Sequence, residues 1–74
     1  MLLRKELDMG KKVLFPNLRA EMTRRGETIG DIGKLVGLSY STIKFRFSGK
    51  SDWTISEIET ICDYFGKDYY ELFK

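Results

Sequence analysis

Apolar residues recur along most of this chain at intervals of three and four, the spacing of one face of an α-helix. Five such stretches follow one another between residue 16 and the end of the chain, separated by short polar or glycine-containing breaks. No stretch sustains the alternation of apolar and polar residues that a half-buried strand shows, and only the short stretch KKVLF is arguably a strand. The pattern therefore predicts an all-α protein, a compact bundle of four to five short helices.

Residues that favour helix ends bound these stretches. The predicted N-caps are Asn17, Thr28, Ser39, Thr54 and Asp68. The predicted stops are Gly26, Gly37, Gly49 and Gly66. Thr54 and Asp68 each have a glutamate three residues later, which predicts a reciprocal capping box. In the fourth helix the expected inward stripe comprises Ile55, Ile58, Cys62 and Phe65.

Gly33 and Gly37 lie within the helical pattern of the stretch TIGDIGKLVGLSYSTIKFRFSGK, although glycine in a helix interior costs about 1 kcal/mol relative to alanine. Gly37 lies where the chain leaves the second helix and is expected to adopt a positive φ. Gly33 lies one turn earlier, where the third helix is expected to cross closely. Two helices joined by a short turn containing glycine form a helix-turn-helix. Ile43 and Phe47 are the predicted buried pair of its second helix.

These features, in this order, resemble the phage-repressor-like helix-turn-helix proteins of the lambda-repressor and Cro type (XRE family). The resemblance rests on DIGKLVGLSYSTIKFRFSGK followed by TISEIETICDYFGKDYYELF, and covers about residues 17–73. It implies a lambda-repressor-like DNA-binding domain over residues 16–74 and a homodimer that binds double-stranded DNA and regulates transcription, most often as a repressor. The chain departs from the family pattern at Ile29, where glutamine is usual, and at Arg46, where an aliphatic residue is usual.

The predicted recognition helix spans about residues 39–48, and its outward side is expected to enter the major groove of a roughly palindromic operator. The predicted base contacts are Tyr40, Ser41, Lys44 and Phe45. Lys44 suits guanine, and Phe45 suits the methyl group of thymine. Two alternatives stay open for Phe45, namely packing within the chain and contact with a partner, while Tyr40 can face either the groove or the core.

Residues flanking this helix are expected to contact phosphates. The predicted phosphate contacts are Thr28, with the backbone amides behind it, Lys34, Arg46, Lys50 and Ser51. Arg24 and Arg25 either stabilise the end of their own helix through its dipole or approach the DNA.

Residues 1–15 form a predicted N-terminal arm. The sequence leaves open whether this arm is flexible, adds a helical turn, or contains a short strand at residues 13–15. Its cations, Arg4, Lys5, Lys11 and Lys12, belong either to a minor-groove arm or to a solvated terminus.

Charge is divided unevenly along the chain. Residues 1–50 hold eleven Lys and Arg against five Asp and Glu, a net charge of +6, whereas residues 51–74 hold two against six, a net charge of −4. A basic part of this kind favours a polyanionic partner.

The remaining composition argues against several other classes of protein. One cysteine permits no intrachain disulfide, which favours a reducing, cytoplasmic setting, and no apolar run approaches the roughly 20 residues that cross a bilayer. Without histidine or a cluster of metal-ligating residues, no enzyme, cofactor or small-molecule ligand is expected. The alternative function is a protein-interaction module on the same fold, an antitoxin or anti-repressor, for which outward Phe45 and Leu35 would form the contact surface.

Overall fold

The computed structural model describes residues 14–74, and this part of the chain is entirely helical, as predicted. The helices are α1 (Pro16–Arg25), α2 (Ile29–Val36), α3 (Tyr40–Ser48), α4 (Ile55–Phe65) and α5 (Tyr69–Phe73). No strand occurs within residues 14–74. The predicted arm lies outside the described residues except for Leu14 and Phe15, which lie against the helical body.

The predicted signals set most of the helix ends. α2, α4 and α5 each begin with a reciprocal capping box, and at the start of α3 the Ser39 side chain accepts a hydrogen bond from the Thr42 amide at 3.3 Å. The first four helices end at the four predicted glycines. Short local signals therefore determine where each helix begins and ends.

The start of α1 differs from the prediction. Asn17 is not its N-cap, because the helix already begins at Pro16 and Phe15 occupies the capping position with a φ of 56° and no side-chain cap. Proline suits the first helical position, since its ring fixes φ near the helical value and its missing N–H would have no intrahelical acceptor there. The left-handed backbone of Phe15 turns its ring toward α3 and α5.

Every helix contributes to one hydrophobic core, although the helices are short. The buried apolar residues are Leu18, Met22, Ile32, Ile43, Phe47, Ile61, Phe65 and Leu72. α1 packs against α5, α4 contacts both α2 and α5, and α2 packs against α3. α3 is thus held to the bundle mainly through α2 and through its own two buried side chains.

The predicted stripe of α4 is wrong in its first position. Ile55 is 75% exposed, and the buried centre of the helix is Ile61 with Phe65. Ile55 is the first helical residue and has neighbours on one side only, so burial begins one turn later, at half-buried Ile58. Cys62 is half-buried against the core, where burial raises the pKa of its thiol.

Four aromatic rings meet where the chain entering α1, the end of α3 and α5 come together. This aromatic cluster comprises Phe15, Phe47, Trp53 and Phe73, and its rings are edge to face with centroids 5.2–6.4 Å apart. Trp53 therefore packs over the core. Its indole nitrogen is buried and has no acceptor in residues 14–74, so it is not presented to a phosphate.

Arg25 stabilises a helix other than its own. Its guanidinium donates hydrogen bonds to the backbone carbonyls of Tyr64 (3.4 Å) and Phe65 (3.1 Å), the last two residues of α4. A cation at these carbonyls complements the negative end of the helix dipole. The hydrogen bonds of Arg25 are therefore made to the end of α4 and not to the end of its own helix.

Candidate nucleic-acid interface

α2 and α3 form the predicted pair of helices, joined by the three residues 37–39. Gly37 has a φ of 78°, which glycine adopts without the steric cost of a side chain. A Cβ atom on Gly33 would lie 3.0 Å from the Leu38 carbonyl oxygen and 3.1 Å from Ile43 Cγ2. The missing side chain at Gly33 therefore permits the close approach of α3.

α3 has one buried and one exposed side. Ile43 is fully buried and Phe47 is 2% exposed, so the inward side of the helix is fixed in the core. The reading face, defined as Tyr40, Ser41, Lys44 and Phe45, lies on the outside. Tyr40 is 61% exposed and Phe45 is 47% exposed, which leaves both rings free for an external partner. The structure thus brings all four predicted base contacts together on one surface.

The reading face pairs cations with aromatic rings. The Lys44 ammonium lies 5.2 Å from the centre of the Tyr40 ring, and the Lys50 ammonium lies 5.4 Å from that of Phe45. Such cation–π contacts favour these orientations of the two lysines by about 0.5–1 kcal/mol each at exposed sites, and both charges stay exposed. The resulting surface offers hydrogen-bond donors beside flat apolar groups, the combination that base edges and thymine methyl groups require.

The start of α2 is less favourable to a phosphate than the sequence suggested. The Asp31 carboxylate accepts a hydrogen bond from the Thr28 amide at 2.9 Å, and the Thr28 hydroxyl accepts one from the Asp31 amide at 3.1 Å. The hydrogen bonds from Thr28 lower the pKa of Asp31, so a negative charge stays at this helix start. Only the amides of Ile29 and Gly30 are left without an intrahelical acceptor.

Arg46 does not join the exposed cations. Its guanidinium is bound to both carboxylate oxygens of Glu57 and to the hydroxyl of Ser51, and its side chain is only 14% exposed. This geometry does not support Arg46 or Ser51 as phosphate contacts. Lys34 and Lys50 remain exposed on either side of the reading face.

Sequence reasoning missed the role of Glu57, which it assigned only to the cap of α4. The available signal was Arg46 itself, a cation where the resembling family has an aliphatic residue, which requires an acidic partner when buried. Leu35, expected to point outward, is half-buried and packs against the core. Leu35 is therefore not available beside Phe45 to form the contact surface that a protein-interaction module would need.

The model of a protein family described as the BetR domain matches residues 10–74. No curated protein and no solved structure matches the chain. Within residues 14–74 no helix is long and apolar enough to cross a membrane, and no group of three potential metal ligands occurs.

Proposed function

Because the chain belongs to the BetR domain family, a family of helical, helix-turn-helix-like DNA-binding domains, we propose that it is a sequence-specific transcriptional regulator, acting as a repressor. In this proposal a homodimer binds a roughly palindromic operator, and each copy inserts α3 into the major groove. The proposed setting is the cytoplasm, with no catalytic activity, cofactor or small-molecule ligand.

The observation that carries the proposal is the two-sided character of α3. Its inward side is anchored by buried Ile43 and Phe47, while its outward side carries four exposed residues suited to base edges. A recognition helix needs this combination, because a helix that moves in the groove cannot hold hydrogen bonds to particular bases.

Each residue of the reading face has a distinct proposed role. Lys44 donates to guanine O6 or N7, Ser41 hydrogen-bonds to the neighbouring base, and Phe45 contacts a thymine methyl group. Tyr40, at the start of α3, contacts the edge of the site. Exposed Lys34 and Lys50 contact the phosphates on either side, together with the first amides of α2.

The size of the reading surface supports the proposed homodimer. One helix with four base-contacting residues covers only a half-site, and small helix-turn-helix proteins reach useful specificity by placing two such helices one helical turn apart. The two copies then read an inverted repeat.

The proposal is tested by selecting bound duplexes from a random DNA pool at near-physiological salt. We expect enrichment of an inverted repeat with half-sites about one helical turn apart, roughly 34–36 Å. Enrichment of a single half-site would contradict the proposed dimer but not sequence-specific DNA binding. Weak, equally salt-sensitive binding to every duplex would contradict sequence-specific regulation and favour the protein-interaction module.

A matched pair of variants ties the selection to the reading face. Lys44→Ala should abolish enrichment of the guanine-containing position. Lys67→Ala removes the same charge between α4 and α5, beside α1, and should leave the selected sequence unchanged. Equal effects of the two substitutions would show that only net charge matters.

If Phe45 contacts a thymine methyl group, the affinity of the protein for the selected operator should depend on that methyl group. Replacing the contacted thymine by uracil removes one methyl group, and should weaken binding of the wild-type protein about fourfold, the equivalent of burying one such group. The measurement is the dissociation constant of synthetic operators in which single thymines are replaced in turn.

Two substitutions control this experiment. Phe45→Ala removes the apolar contact, so thymine and uracil operators should bind equally. Phe45→Leu keeps an apolar side chain and should retain part of the preference for thymine. A thymine preference that persists in Phe45→Ala would exclude Phe45 as the contacting residue.

A further inference from the structure

Arg46 occupies a position on α3 between the reading face and the core. Its Nε atom lies 2.9 Å from Oε1 of Glu57, and its Nη2 atom lies 3.2 Å from Oε2. The two nearly parallel hydrogen bonds make a bidentate pair, the most directional ion-pair geometry available to proteins. Nη1 donates a third bond to the Ser51 hydroxyl at 2.7 Å. Three of its five N–H groups are therefore committed within the protein.

Glu57 is itself held rigidly. Its Oε1 atom accepts a hydrogen bond from the Thr54 amide at 3.0 Å, and its own amide donates to the Thr54 hydroxyl at 3.1 Å. Glu57 is 9% exposed, so its carboxylate cannot readily move with Arg46. The hydrogen bond from Arg46 lowers the pKa of Glu57, and the hydrogen bond to Glu57 raises the pKa of Arg46, so both groups stay charged.

We propose that Arg46 is a positioning residue for DNA recognition, which fixes the orientation of α3 through Glu57 and Ser51 rather than by touching a phosphate. The inference rests on the proposed function and concerns how the reading face is held. α3 otherwise depends on Ile43 and Phe47, whose apolar contacts carry little directional information. The planar guanidinium adds a fixed direction near the end of α3, on the side of α4.

The ion pair connects the reading face to the start of α4, which the capping box of Thr54 and Glu57 already holds in place. Arg46 follows Phe45 directly and lies two residues after Lys44, so a small rotation of α3 moves all three together. Glu57 sits in the first turn of α4, and Ser51 lies in the connection between the two helices. Loss of the ion pair would leave α3 folded but free to rotate or tilt. Contacts with bases would then be weakened more than the non-specific contacts with phosphates.

The test is a double-mutant cycle on the purified 74-residue chain with Arg46→Met, Glu57→Gln and both together. Each variant is titrated with the selected operator and with a random duplex at several salt concentrations, and its unfolding is measured in parallel. We expect each single substitution to lower the operator-to-random affinity ratio roughly tenfold, the size of one lost base contact. The double variant should lose no more than one single variant. Salt dependence should not change.

Lys50→Met provides the contrasting control, because Lys50 is exposed and is a proposed phosphate contact. It should reduce the slope of log affinity against log salt by about 0.9 while keeping the operator-to-random ratio. A similar slope change in Arg46→Met, with no effect of Glu57→Gln, would show that Arg46 contacts a phosphate and would overturn the inference.

The same measurements also distinguish the positioning of α3 from a role of the Arg46–Glu57 pair in stability alone. If the substitutions only lower the folded fraction, both affinities fall by the same factor and their ratio is unchanged, which overturns the inference while leaving the proposed function intact. A wild-type protein that shows no operator preference would overturn the proposed function and this inference together.

Discussion

Replacing Phe47 by alanine is expected to lower the free energy of unfolding by about 3–5 kcal/mol. Phe47 is 2% exposed, and its ring lies against Phe15 and Trp53 with centroids 6.4 and 5.2 Å away. Its removal leaves a cavity beneath α3 and deprives the aromatic cluster of its contact with that helix. Domains of this size are stable by only about 4–11 kcal/mol, so a large part of the total is lost. Urea unfolding followed by far-ultraviolet circular dichroism measures the change.

Phe45→Ala is the matched control, because it removes the same ring from the same helix two residues away. That ring is 47% exposed, so its loss should change stability by about 0.5 kcal/mol or less. The pair separates folding from recognition: Phe47→Ala should lose structure, and Phe45→Ala should lose only contacts with the DNA. Similar unfolding free energies for the two variants would contradict the assignment of α3 faces.

Gly33→Val is expected to be the second most damaging change, at about 2–3 kcal/mol. Its Cβ would lie 3.0 Å from the carbonyl oxygen of Leu38, a backbone atom that cannot rotate away, and 3.1 Å from Ile43 Cγ2. The valine methyl groups add further contact, so α3 must move away from α2. We expect a lower melting temperature. In the protein that remains folded, we expect a larger loss of affinity for the operator than for random DNA.

Gly30→Val tests whether this loss arises from the site rather than from the residue type. A Cβ on Gly30 would meet only the Thr28 hydroxyl oxygen at 3.7 Å and the Tyr40 ring at 3.8 Å, which are ordinary contacts. Valine is also slightly more favourable than glycine in a helix, so the net change in stability should be within about 0.5 kcal/mol. Equal losses at the two glycines would refute close crossing as the reason for Gly33.

The parts of the fold that depend on neighbouring residues could be predicted from sequence. Thr54 and Glu57 form their capping box within a single turn, and Gly37 ends α2 because its own φ is unconstrained by a side chain. Such signals act over three or four residues, so no knowledge of the tertiary structure is needed. The same local reasoning placed Ile43 and Phe47 on the inward side of α3.

Features that depend on distant residues could not be predicted. Periodicity identified one face of α4 but not how far along it the core extends, so Ile55 was expected inside and Ile61 was overlooked. The pairing of Arg46 with Glu57 spans the connection between two helices, and the contact of Arg25 with the end of α4 spans about half the chain. Long side chains reach many partners, and the fold selects which one they meet.

The reading face and the cations beside it include both kinds of feature, those set by neighbouring residues and those set by distant ones. Its four residues follow from the phase of α3, and the structure places them together on the outside. The exposure of the neighbouring cations was less well predicted, because it depends on whether an acidic residue from another element reaches each cation. Lys34 and Lys50 remain exposed, whereas Arg46 is committed to Glu57.

The aromatic cluster also gives the protein an internal optical probe. The chain contains a single tryptophan, Trp53, and its indole is half-buried among Phe15, Phe47 and Phe73. Its fluorescence emission therefore reports on one defined place, the junction between the end of α3 and the two ends of the described chain. Red-shifted emission would signal that this junction has opened to water, and a titration with DNA would show whether recognition at the outer surface is felt on the opposite side of α3.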